Sequence, residues 1–151
     1  MINIESATLY NAYFMDTALK RAVNSAIGVS TGGYGTILHL PDDASVVQRE
    51  RAQALFDNAG GLNLVASATV LNEGDADPTI SCNDAVLSAD SNVGYVVVLD
   101  GESYSSGTDT VTAGAVSLTL VDPVAGVYDV YIYRLSGTYA WGSVQITVNE
   151  V

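Results

Sequence analysis

The stretch from Val116 to Leu135 constrains the fold most. Two runs of strict alternation, Val116-Ser-Leu-Thr-Leu120 and Val127-Tyr-Asp-Val-Tyr-Ile-Tyr-Arg-Leu135, flank the breaker Val121-Asp-Pro-Val-Ala-Gly126. A period of two bounded by proline and glycine predicts half-buried antiparallel strands, because successive side chains of a strand point to opposite faces. Val116, Leu118 and Leu120 then share a face against Ser117 and Thr119, while Tyr128, Val130 and Ile132 oppose Asp129, Tyr131 and Tyr133. The two strands are expected to form one wall of a β-sandwich or barrel.

The same alternation runs through the chain on either side. Leu62, Leu64, Ala66, Ala68 and Val70 alternate with Asn63, Val65, Ser67 and Thr69, predicting one strand, and Thr79 to Cys82 predicts a second after the acidic turn Asn72 to Pro78. Tyr95 to Leu99 is continuous and β-branched, as in a central strand; Asp100-Gly101 is hairpin-turn chemistry, and Glu102 to Ser105 pairs back. With Ser143 to Val148 this makes about seven strands in about ninety residues, the spacing of an immunoglobulin-like sandwich.

Ahead of residue 62 the period is helical. Ala12, Met15, Leu19, Ala22, Val23 and Ala26 recur at three- and four-residue steps, predicting one helix from Glu5 to Ile27 that stops at Gly28. Its narrow, alanine-rich stripe suits close packing on another element or another subunit, and a plain covering helix fits equally well. The glycine-rich Ser30-Thr-Gly-Gly-Tyr-Gly-Thr36 lacks the Lys-Ser/Thr of a Walker loop and does not match GxGxxG. It reads as a mobile linker or docking loop before the strand Thr36 to Leu40. Asp42 or Asp43 is expected to cap a second helix over Ser45 to Asn58, which Ala59-Gly60-Gly61 ends. The change of period there divides a helical attachment region, residues 1–61, from a sandwich domain, residues 62–151, expected to fold by itself.

An apolar content of 48% is enough for a core. Five basic residues against seventeen acidic ones leave a net charge of −12, which repels phosphate backbones and anionic bilayers and argues against nucleic-acid or membrane partners. The charge is uneven: residues 62–151 hold eleven acids and only Arg134, whereas residues 1–61 hold six acids and the cations Lys20, Arg21, Arg49 and Arg51. Cys82 is the sole cysteine, so no intrachain disulfide forms. The start of the chain lacks a basic segment followed by an apolar one, and no apolar run approaches the roughly 20 residues of a membrane span, so the expectation is cytoplasmic synthesis without a signal peptide.

Catalytic chemistry is not expected. GxSxG and HExxH are absent, and His39 and Cys82, each the sole residue of its type, have no orienting third group in the spacing; His39 reads as a strand residue at an interface or surface. Glu73, Asp75, Asp77, Asp90, Asp100, Glu102 and Asp109 fall in loops that could hold calcium, but no EF-hand pattern is present and aspartate is a preferred turn residue, so no metal or cofactor is assigned. Tyr131 and Tyr133 project from the outward face of one strand, with Tyr139 and Trp141 shortly after. Amphipathic aromatics on a sheet face mark a contact surface. Either they bind a partner or residues 1–61 fold over them.

Leu64-Val-Ala-Ser-Ala-Thr-Val-Leu-Asn-Glu-Gly-Asp-Ala-Asp-Pro-Thr-Ile-Ser-Cys82, Asp100-Gly-Glu102, Ala125-Gly-Val-Tyr-Asp-Val130 and Gly142-Ser-Val-Gln-Ile-Thr-Val148 resemble the bacterial immunoglobulin-like (Big, invasin-type) domains. The resemblance covers residues 62–151; the turn Glu-Gly-Asp-Ala-Asp-Pro departs from the family's usual form, and the helical region lies outside it. It implies a mainly β, immunoglobulin-like sandwich with an N-terminal helical or extended arm, in which Tyr128 is a corner clamp and Cys82 a small buried core residue. Such domains are common on bacterial surface proteins and in head, neck and tail proteins of tailed bacteriophages. The resulting expectation is a non-enzymatic virion structural protein, a capsid decoration (cement) protein attached to the major capsid protein, other virion proteins or sister copies. Attachment would run through Leu19 and Val23 with Lys20, Arg21, Arg49 and Arg51. The alternative is a tail, neck or surface adhesion module binding carbohydrate or a host receptor through Tyr131, Tyr133, Tyr139 and Trp141.

Overall fold

A computed structural model describes residues 1–151. The first sixty residues build β1 (Ile2–Ser6), α1 (Ala12–Ala22), β2 (Gly28–Gly32), β3 (Gly35–Leu40) and α2 (Val46–Asp57), with an antiparallel sheet in the order β1-β3-β2. The single helix expected from Glu5 to Ile27 is therefore a strand followed by a shorter helix. Asn11 is the reason: its side chain accepts from Phe14 N at 3.0 Å and caps α1, a role that suits asparagine better than a helix interior. Ahead of that cap, Ile2 and Ile4 alternate with exposed Asn3 and Glu5, a period of two that a reading based on Leu19 and Val23 overlooks. Buried Thr36 fixes the β1–α1 connection, donating to Thr8 O and accepting from Tyr10 N, each at 2.9 Å.

The glycine-rich segment is a hairpin joining β2 to β3 rather than a mobile linker. Gly35 has φ +103° and its missing Cβ would lie 2.1 Å from Ser6 O, so glycine here allows close backbone approach. Nor do Asp42 and Asp43 cap α2. Ser45 does, in a reciprocal capping box with Gln48.

The remaining chain builds β4 (Leu64–Ala66), β5 (Val70–Asn72), β6 (Thr79–Asn83), a 3₁₀ turn over Ala85–Ala89, β7 (Asn92–Leu99), β8 (Glu102–Thr110), β9 (Ala115–Thr119), β10 (Gly126–Arg134) and β11 (Trp141–Asn149). A three-stranded sheet, β4-β6-β9, faces a five-stranded one, β5-β11-β10-β7-β8. The alternating run after Gly61 is two strands: β4 pairs antiparallel with β6, and after Ser67 to Thr69 the chain changes sheets so that β5 pairs parallel with β11. Likewise β9 and β10 do not share a wall. The Val121–Ala125 breaker carries the chain across the sandwich, from β9 beside β6 to β10 between β7 and β11. Alternation specifies which residues face inward but not which sheet they belong to.

Tyr128 closes that crossover as a corner, its hydroxyl donating to Val124 O at 2.9 Å. Between the sheets lie Ile80, Cys82, Leu87, Val93, Val116, Tyr128, Val130, Ile132 and Ile146, all 3% exposed or less. Burial pushes the Cys82 thiol up, with Asp84 adding to the effect. The Asp100-Gly101 turn has positive φ at both residues, 49° and 84°, the twist a two-residue hairpin requires.

A second core lies on the other face of the five-stranded sheet. Phe14, Met15, Leu19, Val23, Leu38, Leu40, Ala52 and Leu55 from the N-terminal lobe close over Val96, Val98, Tyr133, Tyr139 and Trp141. The central strands of that sheet are thus covered on both sides, which explains the continuous apolar run of β7.

Candidate functional site

The aromatic face that offered itself as a binding patch is the seam between the two lobes. Phe14 stacks on Tyr131 with ring centroids 4.3 Å apart and planes 9° from parallel, and lies 4.7 Å from the Trp141 ring. Tyr10 fills the next space, 5.4 Å from Trp141 and 5.8 Å from Phe56. Trp141 Nε1 donates to Leu55 O at 2.7 Å, satisfying the indole's only donor. Tyr133 is 2% exposed and lies across Gly94, where an added Cβ would meet its ring at 2.1 Å. Burial, followed by Asp129, pushes the half-buried Tyr131 phenol up to about 12. Of the two readings that the outward aromatics left open, the structure takes the second: residues 1–61 fold over them.

Leu19 and Val23 are 0% and 2% exposed within this same seam, so they cannot act as apolar anchors on a partner. An amphipathic stripe reports that a helix face is covered, not whether its own chain or another covers it. The cations behave differently. Lys20, Arg21, Arg49 and Arg51 all remain exposed, with Lys20 paired to Asp16 at 2.9 Å on the same helix. Beside the α2 cations, Val46 and Val47 are 59% and 54% exposed. Arg134, the sandwich's only cation, is withdrawn from the surface: Nε and Nη2 donate to the two Asp90 oxygens at 2.7 and 3.1 Å. Its charged form is held by those bonds.

Four further acids serve turns and edges. Asp75 accepts from Asn72 N, Asp77 from Asp122 N, Asp100 from Val127 N, and Glu102 from the Tyr13 hydroxyl across the lobes. Nowhere do three His, Cys, Asp or Glu side chains gather in a way that could hold a metal ion.

Two arrangements escaped the sequence. The first is a trio on the outer face of the β1-β3-β2 sheet, where His39 Nε2 lies 2.6 Å from Ser30 Oγ and His39 Nδ1 lies 2.9 Å from Asn3 Oδ1. With Nδ1 protonated toward the Asn3 carbonyl oxygen, Nε2 accepts from the Ser30 hydroxyl, an order of donors that resembles a nucleophile, base and orienting group. The trio lines neither the cleft between β8 and β9 nor the one beside Cys82 and Thr112, which leaves it as a network satisfying a sheet face. His39 and buried Cys82 stand in different lobes and form no dyad. No spacing rule would have revealed the trio, because it joins three strands through their register.

The second is a cleft of about 460 Å³ between β8 and β9. Its floor is Ile80, Val97, Leu118 and Val130, and its wall carries Tyr95, Tyr104, Ser105 and Asp109. The signal in the sequence was the inward-facing series Ser105, Gly107, Asp109 on β8, at positions where a sandwich strand ordinarily turns apolar side chains inward.

No protein-family model matches the chain, and no curated protein matches it in sequence. Among solved structures it is similar to the crystal structure of a CARDB domain, in complex with di-metal ions, from Pyrococcus furiosus, with 10% identity, 58% of this chain and 93% of that chain covered, and a TM-score of 0.33. So distant a likeness conveys no ligand or activity. On their own strand order, inter-sheet core and tyrosine corner, residues 62–151 are an immunoglobulin-like β-sandwich.

Proposed function

We propose that this chain is a non-enzymatic structural protein of a tailed-bacteriophage particle, a capsid decoration protein that attaches through its N-terminal lobe and turns the sandwich to solvent. The observation that carries the reading is the separation of charge. The sandwich holds eleven acids and a single cation bound to Asp90, whereas all four remaining cations are exposed on α1 and α2. Acidic sandwiches displayed side by side repel one another and stay hydrated, and the near-neutral lobe, with its exposed arginines, can pair with acidic groups of a shell where the sandwich cannot. The resemblance of residues 62–151 to domains found in phage heads, necks and tails supports the same reading.

Attachment belongs to surface that the fold leaves open: Val46, Val47, Arg49 and Arg51 on α2, with Lys20 and Arg21 on α1. The partners are the major capsid protein, another virion protein or sister copies. The test is co-sedimentation of the purified chain with particles lacking it, followed by electron microscopy. Symmetric density over the shell, lost with Arg49→Glu/Arg51→Glu, is the expected result. A few copies at a tail tip would support the adhesion alternative, and no association with any particle would refute both.

A further inference from the structure

We infer that the cleft between β8 and β9 receives an extended, cationic strand from a partner protein. β8 is the outermost strand of the five-stranded sheet and β9 the outermost of the three-stranded sheet, and only Val111 to Gly114 join them. One side of the sandwich therefore carries two open sheet edges that face each other, each with a row of backbone donors and acceptors unpaired by a neighbouring strand. β9 has no proline, charge or bulge, whereas β8 carries a bulge opposite Val97 and Val98 and the inward-facing Asp109, so β9 is the edge left open to pairing.

The interior behind those edges is underfilled. β7 turns Val93, Tyr95 and Val97 inward and β10 turns Tyr128, Val130 and Ile132 inward, but β8 opposes them with Ser105, Gly107 and Asp109, all half-buried. A departure from inward apolar patterning confined to one edge strand is the kind of local violation that marks a site. The result is the 460 Å³ space over an apolar floor. A strand laid along β9 would gain backbone hydrogen bonds from the edge and place its inward apolar side chains against half-buried Leu118 and Tyr95. The charge selects the occupant. Asp109, which accepts from Thr110 N through one oxygen, lines the cleft in a lobe whose sole cation is bound to Asp90. A second copy carrying −12 is repelled, whereas a strand with one lysine or arginine among its cleft-facing apolar residues brings that cation to Asp109 and is drawn in.

The test uses the full chain and a synthetic peptide of about eight residues, the length of a strand, with valine and one lysine at the alternate positions that face the cleft and threonine between them. Titration calorimetry gives affinity and hydrogen exchange gives location. The expected result is saturable binding that protects Ala115–Thr119 and Ser103 to Asp109, weakened at least about tenfold, or about 1.4 kcal/mol, by Ser105→Trp, which fills the cleft, and by Asp109→Lys, which reverses its charge. A peptide of the same charge with proline replacing alternate valines should not protect these strands. Asp109→Lys keeps the inference exposed to refutation if Ser105→Trp does not fold. Absence of binding, equal protection by the proline peptide, protection elsewhere, binding indifferent to Asp109→Lys, or occupation of the cleft by an oligosaccharide and not by the peptide would each overturn it.

Discussion

Replacing Phe14 with alanine tests whether the two lobes form one cooperative unit. Phe14 is fully buried, and its ring lies 4.3 Å from Tyr131, 4.7 Å from Trp141 and 5.7 Å from Tyr133. Truncating a buried phenylalanine costs about 3–5 kcal/mol through lost transfer energy and the cavity left behind. Each aromatic pair is worth about 0.5–1.5 kcal/mol beyond area, which places this site toward the upper end. Against a typical total of about 5–15 kcal/mol, that is a large share of the stability. Trp141 is the only tryptophan and sits in the seam, so its fluorescence reports the docked lobe, while the buried Cys82 thiol, by its reaction with a thiol reagent, reports the sandwich core. With a slope of about 2 kcal/mol per molar urea, both midpoints should fall together by about 2 M. A loss below about 1 kcal/mol, or a tryptophan transition that moves while the midpoint of Cys82 labelling stays, would refute the shared core.

Arg134→Met leaves Asp90 buried and unpaired, side chains only 7% and 5% exposed in the parent, and should cost about 3–5 kcal/mol in urea unfolding; a loss near zero would show the pair to be solvated. Tyr131 ionises only at about 12 in the folded chain against 10.0 when exposed, so its contribution is complete below pH 10 and is lost as pH rises through about 12. Thermal melting should decline over that window, and Tyr131→Phe should flatten the decline; an unchanged slope would contradict the assignment. Cys82 should react slowly with a thiol reagent in the native state, and Cys82→Ser should destabilise by about 1–3 kcal/mol; rapid labelling would show the sandwich core to be open. A fragment of residues 62–151 keeps its inner core but bares Val96, Val98, Tyr133 and Trp141. It should bind a hydrophobic dye and self-associate, and a monomeric, dye-silent fragment would show the lobe to be dispensable.

The strands were legible in the sequence because their signals are local. Alternation located Tyr128, Val130 and Ile132, Asp100-Gly101 announced its hairpin, and the corner role of Tyr128 followed from the family resemblance. Sheet membership was not legible, since Val116 and Val130 carry the same inward pattern on opposite sheets. The N-terminal lobe was misread where two periods overlap. Ile2 and Ile4 belong to a strand, Leu19 and Val23 to a helix, and Asn11 between them is a helix cap whose meaning depends on where the helix starts. The candidate binding residues failed for a different reason. Leu19, Val23, Tyr133 and Trp141 were correctly singled out as surfaces that something must cover, but coverage by one's own chain and by a partner demand the same side chains. The β8–β9 cleft and the Ser30–His39–Asn3 trio arise from pairing register, which no linear spacing encodes.

The shared seam also imposes an order of events during synthesis. The lobe that leaves the ribosome first is completed by Val96, Tyr133 and Trp141, residues translated long after Phe14 and Leu19. Until β7, β10 and β11 exist, α1 and α2 have only the small β1-β3-β2 sheet to lie on, and the apolar side chains they turn to the five-stranded sheet remain unburied for the interval in which most of the chain is made. Contacts of such long sequence separation fold slowly and leave the nascent lobe open to aggregation or chaperone capture. Tertiary structure at the start of this chain is therefore set by a strand near residue 141, and vectorial synthesis delivers the parts in the reverse of the order in which they become stable.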